Sequence, residues 1–224
     1  MPVGREPSNR VDEPTFRVPE CIPLFPLPNI VFFPKTYLPL HIFEPRYCEM
    51  IAEIREAGQC VGMVLLKDGW ERDYYGNPPV YEMGCVGRLV SIEELPDGRF
   101  NIMLQGLERY AIREQQYDRS YRLARIHLKP TRRDPGAESP GRAELLLIAD
   151  AYLKRRRDDP PWQHLWRPDL DRELLVNGFS TLLDLTPLEK QFLLEADPLA
   201  QRTYRLIDLL RFKIDERDGV KGWS

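Results

Sequence analysis

The chain has 224 residues, 42% hydrophobic and 30% charged, enough for one large domain or two small ones around a buried core. A formal net charge of −3 argues against a protein built to neutralise nucleic-acid phosphates. No apolar run approaches the roughly 20 residues that a membrane helix needs, and MPVGREPSNRVDEPTF lacks a signal-peptide core, so a cytoplasmic protein is expected.

Residues 1–18 read as a disordered tail. From Cys21 to about Lys129 the pattern is short and mostly strand-like. TYLPLHIF puts Leu38, Leu40 and Ile42 on one face and Tyr37, Pro39, His41 and Phe43 on the other. Pro23, Pro26, Pro28, Pro34 and Pro39 cannot donate ladder hydrogen bonds, which places this part at sheet edges and turns. The stretch LPLHIFEPRYCEM then turns a corner from strand to helix. Pro45 suits a first helical position, and Tyr47, Met50, Ile51 and Ile54 recur at helical spacing, with Gly58 as the stop. Glu44 falls at the positive end of that helix dipole.

CVGMVLL, Cys60–Leu66, reads as a buried strand. YEMGCVGRLVSIEEL and RFNIMLQGLERYAI flank Pro96-Asp97-Gly98, a hairpin turn in which Pro presets φ and Gly accepts a positive φ. Gly84, Gly87 and Gly106 interrupt these long strands where a sheet coils or bulges to close a barrel. YRLARIHL is the last predicted strand.

KPTRRDPGAESPG is a linker by composition. The expected organisation is therefore a β part over 19–129, a linker over 130–140 and a helical part over 141–218. Ser139 and Pro140 suit the start of a first helix carrying Leu145, Ile148, Ala149, Tyr152 and Leu153. Leu175, Gly178, Phe179, Leu182 and Leu183 mark a second. Thr186-Pro187-Leu188-Glu189 is a capping box, and Asp197-Pro198 repeats the device before a final helix striped by Thr203, Leu206, Leu210 and Ile214. The fold class is α+β.

Chemistry-bearing motifs are sparse. Cys21, Cys48, Cys60 and Cys85 form no C-x-x-C and only three His are present, so buried reduced thiols, not a metal site, are expected. KRRR, Lys154–Arg157, runs straight into Asp158 and Asp159 and reads as a solvated helix end. A catalytic Cys48 with His41 as base would need the two in hydrogen-bond reach across the corner, and no nucleophile signature surrounds them. No phosphate-cradling loop, G-x-S-x-G or H-E-x-x-H occurs. Arg46 and Tyr47 are expected to brace the corner or offer a polar rim.

CIPLFPLPNIVFFPKTYLPLHIFEPRYCEM strongly resembles the opening of the Lon substrate-binding domain, the N-terminal module of ATP-dependent Lon proteases. The resemblance continues through Gly84-Cys85-Val86-Gly87, Asp97-Gly98-Arg99, Gly106-Leu107-Glu108-Arg109, Tyr121-Arg122-Leu123-Ala124 and Leu193-Leu194-Glu195, about residues 20–212. It implies a coiled antiparallel β pseudo-barrel of PUA-like type with an inserted helix, followed by a helical bundle. It also implies a free-standing version of the domain, without the ATPase and peptidase modules.

The implied function is a non-enzymatic protein- or peptide-binding module without a cofactor. Its partner would be an unfolded polypeptide or a protein, and it could act as an adaptor or regulator alongside a separate ATP-dependent protease. Such a surface needs exposed apolar or aromatic groups with a polar rim. The candidates are Phe32, Phe33, Trp70, Tyr74 and Tyr75, with Glu44 and Arg46 at the corner; the resemblance puts Arg46 close to where the family places charged residues implicated in substrate contact. KDGWERDYYGNPPVY supplies three of these aromatics in one loop. The alternative is that Trp70 and one Tyr fold back and cap the barrel. RNA binding through a PUA-like barrel is the competing function, disfavoured by the acidic balance; a small-molecule or hydrolytic enzyme is the third.

Overall fold

The computed structural model describes residues 16–57, 60–132, 141–154 and 163–220. Six strands form one sheet: β1 (Cys21–Leu27), β2 (Tyr37–Ile42), β3 (Cys60–Leu65), β4 (Met83–Glu94), β5 (Phe100–Gln116) and β6 (Leu123–Lys129). Their order is β2-β5-β4-β3-β1-β6, and β6 also pairs with β5. Five strands therefore close a ring, and β2 lies beside β5 outside it.

The long strand β5 makes this closure possible. One edge runs along β4, while the other is shared: Phe100–Gln105 pair with β2 and Arg109–Gln116 with β6. The change of partner falls at Gly106. There the chain before β2 crosses closely, with Lys35 N donating to Gly106 O (2.7 Å) and Gly106 N donating to Thr36 O (2.8 Å). A Cβ on Gly106 would stand 2.1 Å from the Phe33 carbonyl oxygen, so only glycine fits. Register shifts at Cys85/Gly87 and Leu89/Ser91 of β4, and at Ile112/Glu114 of β5, coil the strands as the expected bulges should. The turn has Gly98 at φ 78°, as the hairpin chemistry predicts.

Two expectations for the barrel need correction. The sheet is mixed rather than wholly antiparallel, because β1 pairs with β3 in parallel, Leu24–Leu27 against Gly62–Leu65. A parallel pair requires a long crossover, and β2 with helix α1 (Pro45–Ala57) supplies it. Nor are all the prolines at edges: Pro23 and Pro26 lie in β1, which sits between β3 and β6. That strand tolerates them because each pairing is short, three residues to β6 and four to β3.

Helices α2 (Arg142–Lys154), α3 (Arg172–Leu182), α4 (Pro187–Leu194) and α5 (Leu199–Val220) form the second part. The Thr186 hydroxyl accepts from Glu189 N (3.2 Å) and the Glu189 carboxylate accepts from Thr186 N (2.6 Å), the capping box read from sequence. Asp197 does not cap α5; its carboxylate turns to Arg109 and Arg132. Gly58, Ser139, Pro140 and Arg155–Arg157 lie outside the described residues, as does most of the predicted tail. Among the described residues, Phe16 and Val18 pack against the cluster of Ile22, Leu24 and Tyr110.

The two parts share a core. Val31, Phe33 and Leu65 from the β part pack with Leu175, Phe179, Leu193, Leu206 and Leu210. A polar seam crosses the same junction. Arg109 donates to Leu194 O, Ala196 O and Asp197 Oδ1 (3.1, 3.0 and 3.0 Å). Arg202 donates to Leu193 O and Asn177 Oδ1 (3.1 and 2.7 Å), and Asn177 Nδ2 donates to Pro34 O (2.9 Å). Both arginines are fully buried, and carbonyl, amide and carboxylate oxygens meet their donors, Arg109 Nε excepted.

Candidate functional site

Five of the seven residues singled out in the sequence meet at the N-terminal end of α1. Pro45 opens that helix, so Glu44 and Arg46 flank its start and are held at short range. Arg46 Nε and Nη2 both reach Glu44 Oε2 (3.1 and 3.0 Å). The loop after β3 comes over this pair. Its 3-10 turn, Trp70–Asp73, leads into Tyr74, whose hydroxyl donates to Glu44 Oε1 (2.6 Å). Burial, with that hydrogen bond to Glu44, pushes the Tyr74 phenol above its ordinary value. The Arg46 guanidinium is thereby surrounded by rings: Tyr47 at 4.6 Å, Tyr74 at 5.1 Å and Tyr75 at 5.9 Å from their centroids. Contacts of this kind contribute about 0.5–2 kcal/mol each, most when shielded from water.

The aromatic loop splits in two. Trp70 and Tyr74 fold back onto Val64, Leu66 and Val80 and cap the barrel, edge to face with one another at 5.4 Å. Tyr75 stands out from the surface, 88% exposed, its ring edge-on to Tyr74 at 5.2 Å. Phe32 and Phe33 are a correction: at 3% and 0% exposure they belong to the core and are not surface contacts. Phe33 is buried by the crossing at Gly106 and the helices behind it; Phe32 lies inside the barrel with Val61, Cys85 and Leu104.

Beside Arg46 and Tyr75 opens a cleft of roughly 120 Å³. Its walls are Pro26, Arg46 and Tyr47 on one side, Tyr75, Gly76 and Asn77 on another, and the β5–β6 connection (Tyr117, Arg119–Arg122) on the third. Acidic residues of α1 pin that connection. Ser120 Oγ donates to Glu49 Oε2 (2.7 Å), Tyr121 OH donates to Glu53 Oε2 (2.6 Å), and Arg119 pairs with Glu53 and donates to Tyr121 OH (2.9 Å). Burial pushes the Tyr47 phenol up to about 12, so it stays a neutral donor here. Asn77, Tyr117, Arg119 and Arg122 were missed as site residues. The density of Arg and Tyr in YDRSYR is the signal for the last three, and its right end reads simply as a strand; Asn77 lies in the aromatic loop but carries no signal of its own.

The corner residues weighed as a catalytic pair have other employment. His41 Nδ1 is bonded to Asn101 Oδ1 (2.8 Å) on β5, and the Cys48 thiol points at Ile42 O (3.8 Å). Burial raises the Cys48 pKa, the opposite of activation. Asp97 accepts from Arg99 N (3.2 Å) and Arg99 Nε (2.7 Å) and is a turn residue. Among the described residues, no three of His, Cys, Asp and Glu gather to hold a metal ion, and no helix is long and apolar enough to cross a membrane.

A five-stranded ring with an inserted helix, docked through a shared core onto a helical bundle, defines the class of domain. The family model of the ATP-dependent protease La (LON) substrate-binding domain matches residues 21–211, and the chain belongs to that family. The Lon protease of Parabacteroides distasonis is 27% identical over 198 residues, 87% of this chain and 24% of the relative. Lon protease 1 of Herpetosiphon aurantiacus is 31% identical over 122 residues, 53% of this chain and 15% of the relative. The chain thus spans about a quarter or less of the length of these relatives. The Lon N-terminal domain protein of Xanthomonas campestris has the same fold, with a TM-score of 0.59 at 21% identity, covering 84% of this chain and 97% of that one. So does the N-terminal domain of the Mycobacterium avium complex Lon protease, with a TM-score of 0.59 at 16% identity, covering 85% and 98%.

Proposed function

We propose that this chain is a polypeptide-recognition module that holds exposed segments of other proteins at the Arg46–Tyr75 face, without performing chemistry on them. Tyr75 carries the proposal: an almost fully exposed aromatic ring, anchored by Tyr74 and the Arg46 guanidinium at the mouth of a cleft. A ring pre-positioned in this way is the residue type that dominates binding energy at interfaces. The family's description as a substrate-binding domain supports the same reading. An adaptor or regulator role, delivering polypeptides to a separate ATP-dependent protease, follows as its biological use.

The test is a titration of a fluorescently labelled, permanently unfolded polypeptide against the chain. Saturable binding with a Kd of micromolar order is expected, weakened about tenfold by Y75A, or about 1.4 kcal/mol. An absence of saturation up to about 100 µM, near 5.5 kcal/mol of binding free energy, refutes the proposal.

RNA is the second reading, favoured by the guanidiniums of Arg46, Arg119 and Arg122 in one cleft. Against it, Glu44 and Glu53 already hold two of them, and the chain is acidic overall. Labelled RNA in the same assay separates the two, because phosphate contacts weaken steeply with salt.

A further inference from the structure

Of the three guanidiniums lining the cleft, two have acceptors: Arg46 is held by Glu44 and Arg119 by Glu53. Arg122 is different. It is only 6% exposed, yet among the described residues its side chain has neither an ion pair nor a hydrogen-bond acceptor. Its Cζ lies 6.0 Å from the centroid of the Tyr117 ring. A guanidinium brings five N–H donors and a fixed charge, and the Arg122 nitrogens are not among the fully enclosed polar atoms: they open onto the cleft. Burial lowers its pKa. The cleft is the side on which an acceptor can approach.

We infer that the cleft is a receptor for one carboxylate group of a bound polypeptide, with Arg122 as its binding residue. The inference rests on the polypeptide-binding reading and names the chemistry recognised. Charge selects the ligand. Arg46 and Arg119 are each matched by one carboxylate, Glu49 reaches the cleft wall through Ser120, and Asp73 acts on Arg122 through space. In that acidic surround a monoanion fits better than a phosphate dianion. Shape agrees, because a planar carboxylate accepts two parallel bonds from a guanidinium fork, and about 120 Å³ admits little more than a chain end or a short acidic side chain. Tyr75 and Tyr117, on either side, would pack the apolar atoms next to the carboxylate.

The experiment compares three labelled peptides of one apolar sequence against the intact chain. The first ends in a free carboxylate and contains no acidic residue, the second is its C-terminal amide, and the third is the amide with one internal Asp. Binding of the first at least tenfold tighter than the second is expected, and whether the third recovers affinity separates a terminal from a side-chain source. Equal binding of all three overturns the carboxylate receptor while leaving polypeptide recognition intact; binding of none removes both. R122Q should reduce affinity for the free acid about tenfold and leave the amide unchanged, with R122K recovering part of the loss. A loss equal for acid and amide also refutes the assignment. Because Arg122 is buried, its variants are compared only where thermal unfolding is unaltered, and the wild-type peptide comparison decides without them.

Discussion

Asp197 and Arg109 meet across 88 residues of sequence. Burial pushes the Asp197 carboxyl up, but the Arg132 backbone and side-chain N–H groups and the Arg109 charge outweigh it and hold it below the ordinary aspartate range. A depressed folded pKa contributes stability that is fully present above the unfolded value, about 3.9. That contribution disappears as pH falls through the folded value. The wild type should therefore lose stability below about pH 5 more steeply than D197N, the two converging in strong acid. At neutral pH, D197N should cost about 2 kcal/mol, the scale of charge-assisted hydrogen bonds. R109A should cost about 3–5 kcal/mol, since it takes a donor from the Leu194 and Ala196 carbonyls, leaves the Asp197 carboxylate without its buried partner and empties a buried site. Urea denaturation at two pH values checks all three; identical acid limbs for wild type and D197N would show that Asp197 is not so held. In the sequence, Asp197 looked like a helix cap because Asp-Pro before an apolar stripe is a local signal. Its real partners are distant in the chain, and no local pattern marks them. Glu44 and Arg46 are two residues apart, so the sequence places both at one corner, but their ion pair is seen only in the structure.

At the scale of elements, glycines separate two kinds of backbone requirement. Gly98 has a positive φ of 78° with open space where a Cβ would go. Gly106 has no such φ but a carbonyl oxygen 2.1 Å from its virtual Cβ. Strain at a left-handed turn costs an L-residue about 1 kcal/mol. A clash with backbone at a strand crossing forces two strands apart and breaks the Lys35 and Thr36 hydrogen bonds. G98A should lower the unfolding free energy by about 1 kcal/mol, and G106A by about 3 kcal/mol or more. If chemical denaturation found G106A no worse than G98A, the crossing would not be the constraint described. The hairpin and the role of glycine in coiling were legible, because turn chemistry and strand punctuation are local. Which strand pairs with which was not. The partner exchange along β5 and the parallel β1–β3 ladder leave no periodicity of their own. The loop carrying Trp70, Tyr74 and Tyr75 was legible as aromatic, but the folding-back of Trp70 and Tyr74 depends on Val64 and Val80 at its ends.

For the whole molecule the question is whether the β ring and the helices are one folding unit or two. Composition suggested two parts joined by a linker, and residues 133–140 of that linker lie outside the described residues. The described end of it is tied down: Arg132 Nε donates to Asp197 Oδ2 (2.8 Å) and Arg132 O accepts from Leu199 N (3.1 Å). More important is Phe33, which leaves the β part and is fully buried among helical residues. A core residue shared across a junction couples the stabilities of both sides, since neither side can bury it alone. Truncating such a phenylalanine leaves a cavity and costs about 3–5 kcal/mol. Cooperative unfolding of a coupled structure is a single transition seen alike by every probe. Followed by far-ultraviolet circular dichroism for the helices and near-ultraviolet dichroism for the tyrosine-rich ring, wild type should show one coincident denaturant midpoint. F33A should move both signals together to a lower midpoint. If the helical signal were lost first while the ring's aromatic signal persisted, the seam of Phe33, Arg109 and Arg202 would be a contact between independent units and not a common core.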